Sequence, residues 1–170
     1  ESVTNEVKMM MDPNADPFAA APVSENEAPS KFGASDVQDL NWVQLLNAYT
    51  CTECGRCTSA CPANITGKKL SPRKIMMDTR DRLEEVGKNI DANKGVFVPD
   101  NKSLLNDYIT PEELWACTSC NACVEECPVN ISPLSIIIDM RRYLVMEQSA
   151  APPSLNAMMT NIENNGAPWQ

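Results

Sequence analysis

The sequence contains no histidine. That excludes His-ligated haem, Rieske-type centres, His-containing zinc sites and His-based acid–base catalysis. Aromatic residues make up only 5%, so a core must be aliphatic and methionine-rich and would gain from a metal or cluster. Basic residues are outnumbered, 14 Lys and Arg against 23 Asp and Glu, for a net charge of −9. Nucleic acid and anionic lipid headgroups, which need a basic face, are therefore excluded as partners. An acidic, soluble surface suits partners with basic patches. No apolar run approaches the 18 residues of a membrane span. The opening "ESVTNEVKMMMDPN" lacks the apolar segment of a secretory signal, which disfavours a disulfide scaffold and favours reduced, ligand-bearing thiols. Starting at Glu1 rather than Met, the sequence reads as a portion of something longer.

No cysteine lies outside two short ladders. "CTECGRCTSACP" begins at Cys51 and "CTSCNACVEECP" at Cys117, and together they hold all eight. The ladders mark a repeat. Cys51, Cys54, Cys57, Cys61 and Pro62 match Cys117, Cys120, Cys123, Cys127 and Pro128; "ANI" then matches "VNI". After five extra residues in the first half, "SPRKIMMDTRDRL" (71–83) matches "SPLSIIIDMRRYL" (132–144), and an aromatic, Tyr49 or Trp115, precedes each ladder by two. Two halves, each helix, cysteine loop, Ser-Pro-capped helix, suggest a pseudo-two-fold arrangement.

Helix signals bracket the ladders. "SDVQ" offers Ser35 as an N-cap with Gln38 at the box position, and Trp42, Leu45, Leu46 and Tyr49 form an apolar stripe. Ser71 with Pro72 starts a second helix, ending near 87–89. Residues 90–101 read as a loop and 102–109 as a helical turn. "TPEE" starts a helix at Thr110, and Ser132 caps the last strong one. The β-like "GVFV" (95–98) is too short for a sheet. Residues 1–34, with Val7–Met11 and Phe18 as their few apolar points, read as an irregular or disordered arm. The fold class is thus all-α, with a domain over 35–149 and an irregular tail over 150–170.

C-x2-C-x2-C-x3-C-P is the spacing that holds a 4Fe-4S cubane. Three thiolates two residues apart wrap one cubane, and the fourth, before proline, ligates the other in two-cluster proteins. One cluster is expected on Cys51, Cys54, Cys57 and Cys127, the other on Cys117, Cys120, Cys123 and Cys61. The alternatives are two zinc sites, which usually pair C-x2-C knuckles across a longer gap, and disulfides. Fully ligated clusters move single electrons and leave no iron open for substrate.

Other residues carry weaker signals. Pro62 and Pro128 turn the chain away from the cluster, and Gly55 is placed where a loop passes inorganic sulfide. Arg56 and Glu53 in the first ladder, and Glu125 and Glu126 in the second, bear on cluster potentials. "KKLSPRK" (68–74) is either a docking patch for an acidic electron partner or a solvated helix start. Met76, Met77, Met140 and Met146 read as core filler rather than a copper site. Trp42 and Trp115 read as cluster shields. The repeat-equivalent Asp78 and Asp139, with Arg80 and Arg141 two residues on, cap or pair across the pseudo-two-fold.

A helical frame around two such ladders, some 55 residues apart, resembles the α-helical ferredoxin domain. That domain occurs in the C subunits of heterodisulfide reductase and of anaerobic glycerol-3-phosphate dehydrogenase, and in succinate dehydrogenase and fumarate reductase iron–sulfur subunits. The last carry a three-iron cluster in one half, whereas both ladders here are complete. "NWVQLLNAYTCTECGRCTSACPAN", "GKKLSPRKIMMDTRDRLEEVGKNIDANKGVFV" and "ELWACTSCNACVEECPVNISPLSIIIDMRRYLVMEQSAAP", with the arm "TNEVKMMMDPNADPFAAAP", most nearly resemble membrane (Fe–S)-binding oxidoreductase subunits of Bacteroidetes-type bacteria. That resemblance implies membrane helices ahead of the arm and a place in the cytoplasm at the inner face of the membrane.

The function expected is electron transfer through two 4Fe-4S clusters, as the iron–sulfur domain of a membrane-associated oxidoreductase. Its partners would be a dehydrogenase-type or cysteine-rich reductase subunit and the membrane quinone pool. The alternatives are a free-standing soluble dicluster ferredoxin, a structural zinc module, and a catalytic subunit for disulfide or hydroxy-acid chemistry. No further cysteine pair, flavin motif or G-x-G-x-x-G supports the last.

Overall fold

A computed structural model describes residues 31–169; the arm expected over residues 1–34 lies almost wholly outside them. Among the described residues the architecture is all-α, with no strand beyond one isolated bridge between Leu105 and Ile109. Eight α-helices follow in order: α1 Trp42–Thr50, α2 Arg56–Ser59, α3 Pro62–Ile65, α4 Pro72–Ala92, α5 Pro111–Ala116, α6 Ala122–Glu125, α7 Pro133–Met146 and α8 Pro153–Asn165. A 3-10 turn, Val37–Asp39, precedes α1. None of these helices is long and apolar enough to cross a membrane.

The helix starts are set by small polar caps. Ser71 accepts from the Lys74 amide and Ser132 from the Ser135 amide, each with proline in the first turn. Thr110 and Glu113 form a full capping box on α5. Such a cap contributes about 1 kcal/mol. At the first helix the expectation of a Ser35–Gln38 box is corrected. Asp36 and Asp39 cap the 3-10 turn, and Asn41 with Gln44 forms the box that opens α1. Ser35 instead donates from its amide and hydroxyl to the Asp39 carboxylate.

α4 runs to Ala92, past the end expected near 87–89. The Asn93 amide donates to the Asn89 carbonyl, and the Asn89 side chain both donates to the Val98 carbonyl and accepts from the Val98 amide. That pair of hydrogen bonds folds "GVFV" back along the helix end. Beyond Ala150, where an irregular tail is expected, α8 forms and ends at Gly166 in the left-handed region (φ 68°).

The core lies between α4 and α7. Ile75, Met76 and Val86 of α4 meet Ile136, Ile137, Met140 and Leu144 of α7. Leu104, Leu105, Ile109 and Leu114 close it from the following turn and α5. Burying each such side chain contributes about 1.5–3 kcal/mol. Met76 and Met140 fill core space as expected, but Met146, at the end of α7, is exposed. Most of the stripe expected on α1 faces outward: Trp42 is 73% exposed, with Leu46 and Tyr49 about half so, while Leu45 packs partly buried against the core and Gln44 and Ala48 are buried. The reason is Gln44, whose amide donates to the Asp139 carboxylate of α7 at 2.5 Å and turns the opposite face inward.

One buried cation staples the frame. Arg82 is fully buried in α4 and pairs with Asp36 at 2.8 Å and Asp100 at 2.5 Å, donating also to the Lys102 carbonyl. Asp36, ahead of the 3-10 turn, and the 100–104 segment are thereby held against α4.

Candidate metal centre

Each ladder begins at the end of one helix and passes through a second. Cys51 and Cys117 are the C-caps of α1 and α5, both extended; Cys57 lies in α2 and Cys123 in α6. Between them the chain curls by entering the left-handed region twice. Glu53 (φ 58°) and Gly55 (φ 82°) do so in the first ladder, Ser119 (φ 55°) and Asn121 (φ 66°) at the matching positions of the second. The amides of Thr58 and Ser59 then donate to Gly55, and those of Val124 and Glu125 to Asn121. Glycine at 55 is thus explained by its positive φ. A Cβ there would meet no protein atom within 4 Å, and Asn121 takes the same conformation in the second ladder. Pro62 occupies the first turn of α3 after Cys61, where its missing N–H costs nothing.

Thiols of the two ladders lie beside one another. A hollow is lined by Cys51, Cys54, Cys57 and Cys127, together with Cys123, Met76, Val129 and Ile131. Burial pushes the Cys57 thiol up, opposed by hydrogen bonds from Thr58, and the nearby Cys51 and Cys127 sulfurs push it further. Cys123 is buried and pushed up to about 12, first by burial and then by Cys117, Cys57, Cys61 and Cys120. Cys61 thus lies near Cys123, as Cys57 of the same ladder does. At the open end, amide and hydroxyl hydrogen bonds from Ala122 and Thr118 hold Cys120 below the usual thiol range. The Ser119 amide donates to the Cys117 sulfur at 3.4 Å.

The donor chemistry fits iron–sulfur clusters. Burial and neighbouring sulfurs hold the Cys57 and Cys123 thiols protonated, so positive charge is needed between the ladders before they ionise. Thiolates on one tetrahedral zinc, at about 2.3 Å each, would stand within about 4.6 Å of one another. Among the described residues no three Cys, Asp or Glu groups converge on a single-ion position. Five of the cysteines, drawn from both ladders, line one hollow.

Two arginines reach the ladders from the Ser-Pro helices, and they occupy the same place in the repeat. Arg80 of α4 donates to the Glu53 carboxylate at 2.5 Å. Arg141 of α7 donates to the carbonyls of Leu114, at 2.6 and 3.0 Å, and of Cys117, with Ser119 Oγ at 3.3 Å. Its guanidinium lies over the Trp115 ring, 5.1 Å from the centroid. Arg80 and Arg141 each serve their own ladder. Asp78 pairs with Lys74, and Asp139 with Gln44 and Arg142. The match between the halves singles out both arginines, but their targets depend on the loop curl.

Trp115 is half-buried against the core and under Arg141, whereas Trp42 is exposed. In "KKLSPRK", Lys69 pairs with Glu112, and Lys74 with Asp78 and Glu113. Two of its cations are therefore neutralised within the chain.

Residues 50–131 match the family model of the 4Fe-4S dicluster domain. Three curated relatives extend the likeness. A probable iron-sulfur-binding oxidoreductase, FadF, of Bacillus subtilis is 36% identical over 85% of this chain and 24% of its own length. The EtfAB:quinone oxidoreductase of Syntrophomonas wolfei is 34% identical over 91% of this chain and 24% of its own. The C subunit of the ferredoxin/F420H2-dependent CoB-CoM heterodisulfide reductase of Methanosarcina acetivorans is 31% identical over 63% of this chain and 52% of its own. The chain thus spans about a quarter of the first two relatives and about half of the third. Eight cysteines and a dicluster domain mean two 4Fe-4S clusters and a role in electron transfer. Residues 50–131 are thus a 4Fe-4S dicluster domain, and the all-α ferredoxin domain that holds them is similar to the C subunit of heterodisulfide reductase.

Proposed function

We propose that Cys51, Cys54, Cys57 and Cys127 ligate one 4Fe-4S cluster and Cys117, Cys120, Cys123 and Cys61 the other. The chain then serves as the electron relay of a membrane-associated oxidoreductase. The observation that carries the ligand assignment is the presence of Cys127 in the hollow lined by the first ladder's three leading thiols. Cys61 among the sulfurs around Cys123 supports the reciprocal half. When bound, cubanes accept and release single electrons. The protein's contribution is to fix eight thiolates, to keep the two groups adjacent, and to seal their inner sides with Met76, Val129 and Ile131.

The partners are a dehydrogenase-type or cysteine-rich reductase subunit on one side and the membrane quinone pool on the other. The name of the Syntrophomonas relative, a quinone oxidoreductase, supports the second. The greater length of the relatives supports a place within a longer protein, at the inner face of the membrane.

Anaerobically purified protein tests the reading. About eight irons and eight sulfides per chain, with a spin-coupled EPR signal after dithionite reduction, are expected. Cys127→Ala is expected to alter the same cluster as Cys51→Ala, and Cys61→Ala the same as Cys117→Ala. If Cys61→Ala and Cys51→Ala perturb one cluster together, the crossed assignment is wrong. Recovery of the native gene product as a free chain of this length, away from membranes, would favour the soluble ferredoxin instead.

A further inference from the structure

The two halves of the repeat treat their clusters differently, and the difference lies in the arginines. Arg80 and Arg141 occupy equivalent positions and approach equivalent loop residues, Glu53 and Ser119. In the first half the guanidinium meets a carboxylate at 2.5 Å, so the pair brings no net charge to the Cys51 loop. In the second half the equivalent residue is a serine. Arg141 finds only carbonyls, a hydroxyl and the Trp115 face; no carboxylate lies within ion-pair distance of it among the described residues. Its full positive charge is held at the Cys117 backbone, half-buried. The Ser119 amide adds a second donor, aimed at the Cys117 sulfur. Positive charge and N–H···S bonds beside a cluster stabilise its reduced, more negative form and raise its potential.

We propose that Arg141 is the positioning and tuning residue that makes the cluster on Cys117, Cys120 and Cys123 the higher-potential one. Arg80, cancelled by Glu53, leaves the cluster on Cys51, Cys54 and Cys57 lower. The pair thereby gives the relay a direction, from the first ladder's cluster to the second's. The step is one electron: the first cluster is oxidised, the second reduced, and no bond or proton changes. This rests on the crossed-ligand reading above.

Other charges near the ladders point the opposite way. Arg56 and Arg73 flank the first, Glu125 and Glu126 the second. All four are exposed, where water and salt screen them within about 8 Å at physiological ionic strength. Arg141, against the ring and the carbonyls, is screened far less. The inequality between clusters therefore persists at high salt.

The test is a potentiometric EPR titration of the fully loaded chain at low and high salt, after iron analysis. An iron content other than about eight per chain counts against the cluster reading itself, before any potential is measured. Two separated reduction steps are expected in the parent. Arg141→Gln is expected to lower the upper step enough to change the electron's partition at least tenfold, about 59 mV for one electron, and to leave the lower step in place. Arg141→Lys, which keeps the charge, holds the upper step. Glu53→Gln, which frees Arg80, raises the lower step and does not depend on how well the Arg141 variants load. The proposal is overturned if Arg141→Gln moves the lower step or neither. It is equally overturned if Lys and Gln shift the upper step alike, the mark of a merely structural residue, or if Glu53→Gln moves nothing.

Discussion

Arg82 donates to the Asp36 carboxylate from both Nε and Nη2, at 3.0 and 2.8 Å, across 46 residues of chain. The arginine is fully buried and Asp100 grips its other edge at 2.5 Å. Deleting one member of such a group leaves charges without partners in a desolvated place. Arg82→Ala is therefore expected to cost about 3–5 kcal/mol, read from the urea midpoint of the cluster-loaded protein. Lys102→Ala, at an exposed pair with Glu85, should cost less than about 1 kcal/mol. Equal losses in the two variants would show that the buried pairing carries no special weight.

The same staple makes stability depend on acid. Hydrogen bonds from Arg82 hold the Asp100 carboxyl down at about 2, against about 3.9 for a free aspartate. A depressed carboxylate stabilises the folded state at every pH above its unfolded value. That contribution fades as pH falls from about 4 to about 2. Asp100 is partly exposed, so the effect is on the order of 1 kcal/mol after screening. Thermal unfolding of the parent and Asp100→Asn, followed by helix content, should show a gap at pH 7 that closes across that acid window. A gap that stays constant down to pH about 2 would mean the charge contributes nothing.

The ladders were legible because a cluster's ligands are local: curling three thiolates around one cubane fixes their spacing in sequence. The Ser71, Thr110 and Ser132 caps were legible for the same reason, each acting within one turn of its own position. What the sequence concealed depends on distant partners. Nothing in "NWVQLLNAYT" reveals that Gln44 seeks Asp139 and so turns Trp42, Leu46 and Tyr49 outward. The Arg82 staple joins three segments, around positions 36, 82 and 100, that share no motif. The pairing of Arg80 with Glu53 depends on a left-handed residue in the loop, and glutamate gives little warning of one.

Gly33 meets α7 at a backbone-to-backbone approach that only glycine allows. Its φ is 76°, and a Cβ there would run into the Asp139 carbonyl and the Tyr143 amide. The neighbouring Ala34 amide donates to that same carbonyl at 3.0 Å. Gly33→Ala must strain the backbone and push the 31–40 segment off α7, at about 1–3 kcal/mol. Hydrogen exchange should report faster loss of protection at Ala34. Unchanged protection at Ala34 would refute the close approach.

A last prediction separates the two apolar faces that sequence periodicity treats alike. Leu46 on α1 is 54% exposed, whereas Ile137 on α7 is fully buried between α4 and the closing turn. Truncating a buried aliphatic residue loses its transfer energy and leaves a cavity, together about 2–5 kcal/mol for Ile137→Ala. Leu46→Ala removes contacts made mostly with water and should fall within about 0.5 kcal/mol of the parent. Denaturant titrations of the cluster-loaded chain suffice for the comparison. A loss for Leu46→Ala as large as that for Ile137→Ala would mean that α1 packs its stripe inward in solution. The Gln44–Asp139 hydrogen bond would then have to be absent, because the two faces of α1 cannot both point at α7.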